Sequence, residues 1–268
     1  MALDVSAIVI AAGLGSRLSP YTDDRPKCML PFAGKPLLGH QIDTLRACGI
    51  TEISVVRGYM GDKIDLTGVT YFENEDYRDN NILESLMCAE PALSGNVVCL
   101  YSDIWFEASV VETLLATLHH DISIVVDTDW RDYYVGRMQH PLDEAENVVF
   151  STMGTVAKIG KIGATSRKVD GEFIGMLKLT PRGTGLFKEH YRRARDQYWD
   201  KPFQRAKTFQ KAYLTDLFQE MADLGVTIGC TTISRGWKEI DTVEDYQKAL
   251  KAMGDASVQF TGGWDSAK

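Results

Sequence analysis

Hydrophobic and polar positions along this chain follow two alternating periods. Residues 5–12 form a nearly unbroken apolar run, as expected of a strand buried on both faces. At 36–48 the spacing becomes helical. Leu37, Leu38, Gln41, Ile42 and Leu45 share one face, Pro36 stands in the first turn and Gly49 ends the pattern. Strands are then predicted at 53–56, 69–72, 97–101 and 122–126. Helices are predicted at 81–93, interrupted by Pro91, and at 110–118. This alternation predicts an α/β fold, a Rossmann-like, mainly parallel mixed sheet with helices on both faces. Ligands in such sheets bind beyond the carboxyl ends of the strands.

From 128 to 180 the pattern changes to short strands at 147–150, 155–159 and 172–179, separated by glycine or polar turns. These read as a small β-hairpin extension of the sheet that caps one side of the ligand cleft. Helices at 184–196 and 208–224, a strand at 226–233 and a helix from 243 complete the pattern. One domain over 1–253 is expected, with the insertion at 128–180 and a mobile tail over 254–268.

The first strand leads into Ala11, Ala12, Gly13, Leu14, Gly15, Ser16 and Arg17, and Lys27 follows ten residues beyond Arg17. Gly13 and Gly15 let backbone N–H groups approach an anion, and Arg17 and Lys27 are placed to neutralise phosphates. The segment is not a P-loop, since no Gly-Lys-Ser/Thr occurs. Leu18 stands where a dinucleotide fingerprint needs its third glycine.

With Pro20, Thr22 and Pro26 included, residues 11–27 fit A-A-G-x-G-x-R-L-x-P-x-T-x-x-x-P-K at every fixed position. This resembles the signature of nucleotidyltransferases that activate sugar phosphates and small phosphorylated alcohols, the nucleotide-diphospho-sugar transferase type of fold. The resemblance runs over about residues 5–250 and thins in the middle. It implies that Ala11, Ala12, Gly13, Gly15, Ser16, Arg17 and Lys27 hold a nucleoside triphosphate. It also implies Mg²⁺ on two carboxylates. Asp103, after the strand at 97–101, and Asp241, in Glu-Ile-Asp-Thr, stand in those positions. A carboxylate at a strand end suits Mg²⁺, which takes one or two carboxylates together with substrate phosphates. Glu239 is an alternative ligand.

The run Asn80-Asn-Ile-Leu-Glu-Ser-Leu looks like that of phosphocholine and phosphonate cytidylyltransferases, so CTP is the implied nucleotide. Asn81 and Ser85 are the candidates for base or ribose contacts, or else caps of the helix they begin. Trp130, Tyr133, Tyr134 and Trp237, with Asp127, Asp129 and Asp132 nearby, are expected at the acceptor pocket. Aromatic faces with carboxylates suit an ammonium group, as carried by phosphocholine or 2-aminoethylphosphonate. Lys158 and Lys161 are candidates for the acceptor's phosphoryl group, with Lys158 favoured by its alternation with Ala157 and Ile159. Asp216 is placed to project from its helix toward the same pocket. His40, His119, His120, His140 and His190 lack metal-site spacing and read as structural or surface residues.

The net charge, 29 − 37 = −8, argues against nucleic acid or an anionic membrane as partner. Five cysteines, odd in number and without a C-x-x-C pair, point to a reducing compartment. The apolar run at 5–12 is too short to span a bilayer and lacks a basic lead-in, so a cytoplasmic protein is expected. The sequence is compatible with a homodimer. The implied reaction is Mg²⁺-dependent transfer from CTP to an amine-bearing phosphate or phosphonate. A sugar-1-phosphate nucleotidyltransferase and a non-catalytic nucleotide sensor are the competing readings.

Overall fold

A computed structural model describes residues 4–163, 169–252 and 254. Strand β1 (Val5–Ala11) lies inside a sheet of nine strands among the described residues. Its side chains alternate, with Ala7, Val9 and Ala11 in the core on one face and Ile8, Ile10 and Ala12 in the core on the other. A short hairpin, β2 (Pro31–Phe32) and β3 (Lys35–Pro36), precedes helix α1 (Leu37–Ala47). Strands β4 (Ile53–Arg57) and β5 (Thr70–Glu73) continue the sheet in parallel on one side of β1. Helix α2 (Ile82–Cys88) leads to β6 (Asn96–Tyr101), parallel to β1 on its other side. The βαβ expectation therefore holds through this region.

Next come β7 (Ile104–Phe106), helix α3 (Ala108–Ala116), β8 (Ile122–Asp127), β9 (Asn147–Phe150) and β10 (Val156–Gly160). Strand β11 (Gly171–Leu179) and helices α4 (Pro181–Tyr198) and α5 (Leu214–Asp223) follow. Strands β12 (Gly229–Ile233) and β13 (Trp237–Glu239) and helix α6 (Val243–Ala252) complete the order.

The hairpin expectation is half right. Strands β9 and β10 do pair antiparallel at the sheet's edge. Strand β11, expected in the same extension, runs inside the sheet, antiparallel to β6 and β8. Its nine residues are all buried, because apolar side chains on both strand faces need cover on both sides. The predicted helix at 208–224 is shorter, beginning as a 3₁₀ turn at Phe209–Lys211 before α5. Beyond Gly254, the tail lies outside the described residues. No helix among the described residues is long and apolar enough to cross a membrane.

The pattern gave no sign of the two-stranded sheet β7–β13, in which Ile104 pairs with Glu239 and Phe106 with Trp237. Each strand has only three residues, too few to show a period. This small ladder brings residues near 103 against residues near 240.

Candidate active site

A cleft of about 610 Å³ opens at the carboxyl ends of β1 and β6, where a parallel sheet places its ligand site. Residues 11–17 form one wall. Gly15 has φ 61°, and a Cβ there would lie 2.9 Å from Cβ of Lys27. The position therefore needs glycine for its dihedral and for its clearance. Thr22, buried in the motif, donates its hydroxyl to the Gly15 carbonyl at 3.0 Å and holds the turn. An added Cβ on Gly13 would meet nothing within 4 Å, so this residue faces open space in the cleft wall.

Lys27 begins a 3₁₀ turn and points its ammonium into the cleft. Nζ lies 2.9 Å from Asp103 Oδ2 and 2.5 Å from Asp241 Oδ1. Arg17 pairs with the other oxygen of Asp241. Burial opposes the charge on Lys27, but Asp103 and Asp241 more than offset it and hold the pKa well above the usual lysine value. Burial likewise opposes ionisation of Asp241, yet Lys27, His140 and Arg17 keep its carboxyl far below the usual range. The β7–β13 ladder explains the convergence, because the Ile240 N–H donates to the Asp103 carbonyl at 2.8 Å.

Oδ1 of Asp103 is buried with no hydrogen-bond partner among the described residues. Two carboxylates facing each other across Lys27, one with an unmet oxygen, fit a hard cation such as Mg²⁺.

A model of the MobA-like NTP transferase domain matches residues 7–164, more than half of the chain. The chain belongs to that family. This nucleotidyltransferase is 28% identical over 261 residues to the CTP:phosphoglutamine cytidylyltransferase of Campylobacter jejuni, covering 92% of this chain and 100% of the relative. It is 37% identical over 123 residues to the CMP-5'-(3-aminopropyl)phosphonate synthase of Streptomyces rubellomurinus, covering 43% of this chain and 20% of that protein. The CTP:phosphocholine cytidylyltransferase of Streptococcus pneumoniae superposes with a TM-score of 0.68 at 20% identity, over 93% of this chain and 99% of that one. That last likeness is one of fold, and the family is the one the motif at 11–27 resembles.

In the nucleotidyltransferase the Asn80–Leu86 segment reaches the cleft, and Asn80, Asn81, Ile82 and Ser85 line it. Asn81 also caps α2, its Oδ1 accepting from the Ile82 N–H at 2.8 Å. The Ser85 hydroxyl donates to the Asn81 carbonyl at 3.1 Å and accepts from Asn74 Nδ2 at 2.8 Å. Both alternatives for Asn81, cap and cleft residue, therefore coexist.

The expected acceptor residues divide. Trp237 lines the cleft, its Nε1 donating to Asp127 Oδ2 at 2.8 Å. Four others are corrected, because none of them lines it. Trp130 is 1% exposed and packs edge-on against Tyr134 in a small separate core with Ala145 and Val169. Tyr133 lies behind Trp237 and bonds both backbone groups of Glu239 through its hydroxyl. Asp216 is fully buried, accepting from the Tyr213 N–H at 2.9 Å at the start of α5 and pairing with Arg205 at 3.3 Å. Lys158 sits exposed on β10, and it is Lys161, paired with Glu144 at 2.5 Å, that reaches the cleft. The aspartates proposed for the ammonium also face elsewhere. Asp127 is spent on Trp237 and backbone N–H groups, and Asp129 and Asp132 lie at the surface near Arg235.

Besides Asp103 and Asp241, the acidic groups lining the cleft are Glu144, Glu146, Glu172 and Glu239. Glu146 accepts from Thr215 at 3.0 Å and Tyr101 at 3.2 Å. Burial nevertheless lifts its pKa to about 7. Burial also raises Glu172, helped by Glu239, and raises Glu239, helped by Asp241. Glycine makes room here too: Gly175, at φ +79°, carries no Cβ where one would strike the Tyr101 ring at 2.4 Å. A charged residue inside the apolar run Phe173–Leu179 or beside it is a readable signal, and Glu172 carried it. Of the two alternatives for His140, structural or surface, the structure gives the first, burying the ring between Asp241 and Glu239.

Proposed function

We propose that this nucleotidyltransferase joins CTP to a small amine-bearing phosphate or phosphonate and releases pyrophosphate, with Mg²⁺ as cofactor. One observation carries the reading. A glycine turn with two phosphate-directed cations shares a single cleft with four glutamates and the aromatic faces of Tyr101, Tyr213 and Trp237. Carboxylates beside aromatic rings suit an ammonium group, and the glycine turn suits a triphosphate. The two sequence relatives named above use or make cytidylylated compounds by their names, which supports CTP. The full-length one acts on a phosphorylated amino acid amide by its name, so an acceptor with both ammonium and carboxylate belongs among those to try.

The chemistry asks little proton transfer of the protein. A phosphate or phosphonate acceptor is already an oxyanion near neutral pH. Its oxygen attacks the α-phosphorus of CTP, the new P–O bond forms as the bond to the β-phosphate oxygen breaks, and pyrophosphate leaves with the electron pair. The barrier is largely positioning and anion repulsion. Arg17 and Lys27 neutralise the triphosphate and the departing pyrophosphate. Drawn onto phosphate, both cations release Asp103 and Asp241. Mg²⁺, which Asp103 and Asp241 would hold, would supply Lewis-acid polarisation of the reacting phosphate. Glu146 and Glu172 orient the acceptor through its amine.

The test crosses ATP, CTP, GTP and UTP against phosphocholine, 2-aminoethylphosphonate, phosphoglutamine and glucose-1-phosphate, with pyrophosphate release as readout. Turnover confined to CTP and an amine-bearing acceptor is the expected result. Turnover with glucose-1-phosphate would move the protein to the sugar-phosphate reading, and tight CTP binding with silence in every well would make it a sensor.

A further inference from the structure

The buried face of helix α1 carries one polar residue. Leu37, Leu38, Ile42 and Leu45 are buried there, and Gln41, 2% exposed, lies among them. A primary amide on such a face is costly unless its hydrogens are met. Gln41 Nε2 donates to two carbonyls, that of Tyr101 at 2.9 Å and that of Ile104 at 2.6 Å. Tyr101 ends β6 and Ile104 begins β7, so one amide group spans the turn at 102–103 from end to end. Only a primary amide offers two N–H donors on one uncharged nitrogen, and asparagine would hold it one methylene short.

The turn carries Asp103, whose carboxylate has little else to orient it. Oδ1 has no partner among the described residues, and Oδ2 has Lys27. In the proposed reaction Lys27 moves onto phosphate, which leaves Asp103 held through its backbone. That backbone is pinned by the Ser102 N–H, which donates to the Ile10 carbonyl at 3.2 Å, and by the Asp103 carbonyl, which accepts from the Ile240 N–H at 2.8 Å. Gln41 holds both flanks. Tyr101 has anchors of its own, its ring packed against Gly175 and its hydroxyl on Glu146 at 3.2 Å. Loss of the Gln41 amide is therefore felt on the Asp103 side of the turn.

We propose that Gln41 is a positioning residue that aims the Asp103 carboxylate into the cleft by holding the turn between β6 and β7. The inference rests on the proposed function for the role of Asp103. Gln41 itself does not line the cleft, so its effect travels through the turn. A misplacement of about 1 Å at a reacting centre costs on the order of a hundredfold in rate.

The test uses Gln41→Met in the full chain, which keeps the side-chain length and removes both donors. Without metal or nucleotide, amide hydrogen exchange at Ser102 and Ile240 should speed about tenfold or more, with β1 and β4 unchanged. In the pyrophosphate assay kcat should fall about thirtyfold while the KM for CTP stays within about twofold. A double-mutant cycle separates positioning from general packing. Added to Asp103→Asn, the Gln41 change should cost less than about threefold more, because the carboxylate it aims is already gone. Gln41→Asn, which draws the donors back by one methylene, takes the same measurements if the Met variant does not fold. Losses that multiply in the double variant, an unchanged kcat, or exchange that speeds uniformly across the sheet would each overturn the assignment. Faster exchange confined to Ser102 and Ile240, with no pyrophosphate release from any nucleotide by the unsubstituted protein, keeps the hold on the turn and removes the proposed function instead.

Discussion

The Ile240 N–H donates to the Asp103 carbonyl at 2.8 Å, and this bond sets the carboxylates of Asp103 and Asp241 on either side of Lys27. Backbone pairing fixes the geometry, so the side chains can be altered without losing the fold. Asp103→Asn is therefore expected to fold with an unchanged circular dichroism spectrum and to lose on the order of a hundredfold or more in kcat. Near-normal kcat in the presence of saturating Mg²⁺ would remove Asp103 from the site.

Lys27 is a different case, because it is only 12% exposed and bridges two carboxylates. Lys27→Met should cost turnover and also stability, by about 3 kcal/mol, since it leaves buried charge without its partner. The pH dependence follows. Asp241 has a depressed pKa in the folded protein, so its stabilisation is present above the unfolded carboxyl value and is lost only as pH falls through the folded value. Without Lys27 the clustered carboxylates favour protonation. The Met variant should then gain stability relative to the unsubstituted protein between about pH 7 and 5. Urea midpoints at the two pH values measure this, and parallel curves would contradict it.

Glu146 has the opposite sign. Its folded pKa, about 7, lies above the unfolded value, so folding is most favoured at low pH. The penalty grows as pH rises toward 7 and is constant above it. Glu146→Gln keeps a hydrogen-bond acceptor for Thr215 and has no charge to bury. Compared with the unsubstituted protein, the variant should be more stable by about 3 kcal/mol at pH 8 and by under about 1 kcal/mol at pH 5. If Glu146 also holds the acceptor's ammonium, acceptor KM rises in this variant while CTP KM does not.

Trp130 and Trp237 separate packing from recognition. Trp130→Ala should lower stability by about 3–5 kcal/mol through the cavity it leaves, with acceptor KM little changed in the fraction that folds. Trp237→Phe keeps most of the ring volume but drops the Nε1 bond to Asp127. It should raise acceptor KM selectively, read from steady-state kinetics with each substrate varied in turn. Equal shifts in both KM values would place Trp237 in the general architecture of the cleft.

How much was legible depended on whether a signal was local. The motif at 11–27 is contiguous, and its reading rests on residue types, glycine for close backbone approach and Arg17 and Lys27 for charge, whereas the hold of Thr22 on the Gly15 carbonyl emerged only in the fold. Helix α1 and strands β1, β4 and β6 carry clean periods and were placed within a residue or two. The acceptor side was not legible in the same way. Trp130 and Asp216 have the composition of a recognition residue, and only the fold shows that one packs inward and the other holds a helix start. Glu172 lies on a strand whose position inside the sheet no local pattern dictates. His140 sits far from Asp241 in sequence, and the short ladder that brings Asp241 to Asp103 has no periodicity to read.

The ladder between β7 and β13 also has a consequence for biosynthesis. Lys27 leaves the ribosome early, but its partner Asp241 follows 214 residues later. At about 5–20 residues per second, that is roughly 10–40 s during which Arg17 and Lys27 have no counter-charge from residue 241. Within that interval the nascent chain can pair Lys27 with Asp103 alone, and the full set of ion pairs forms only after β13 has emerged.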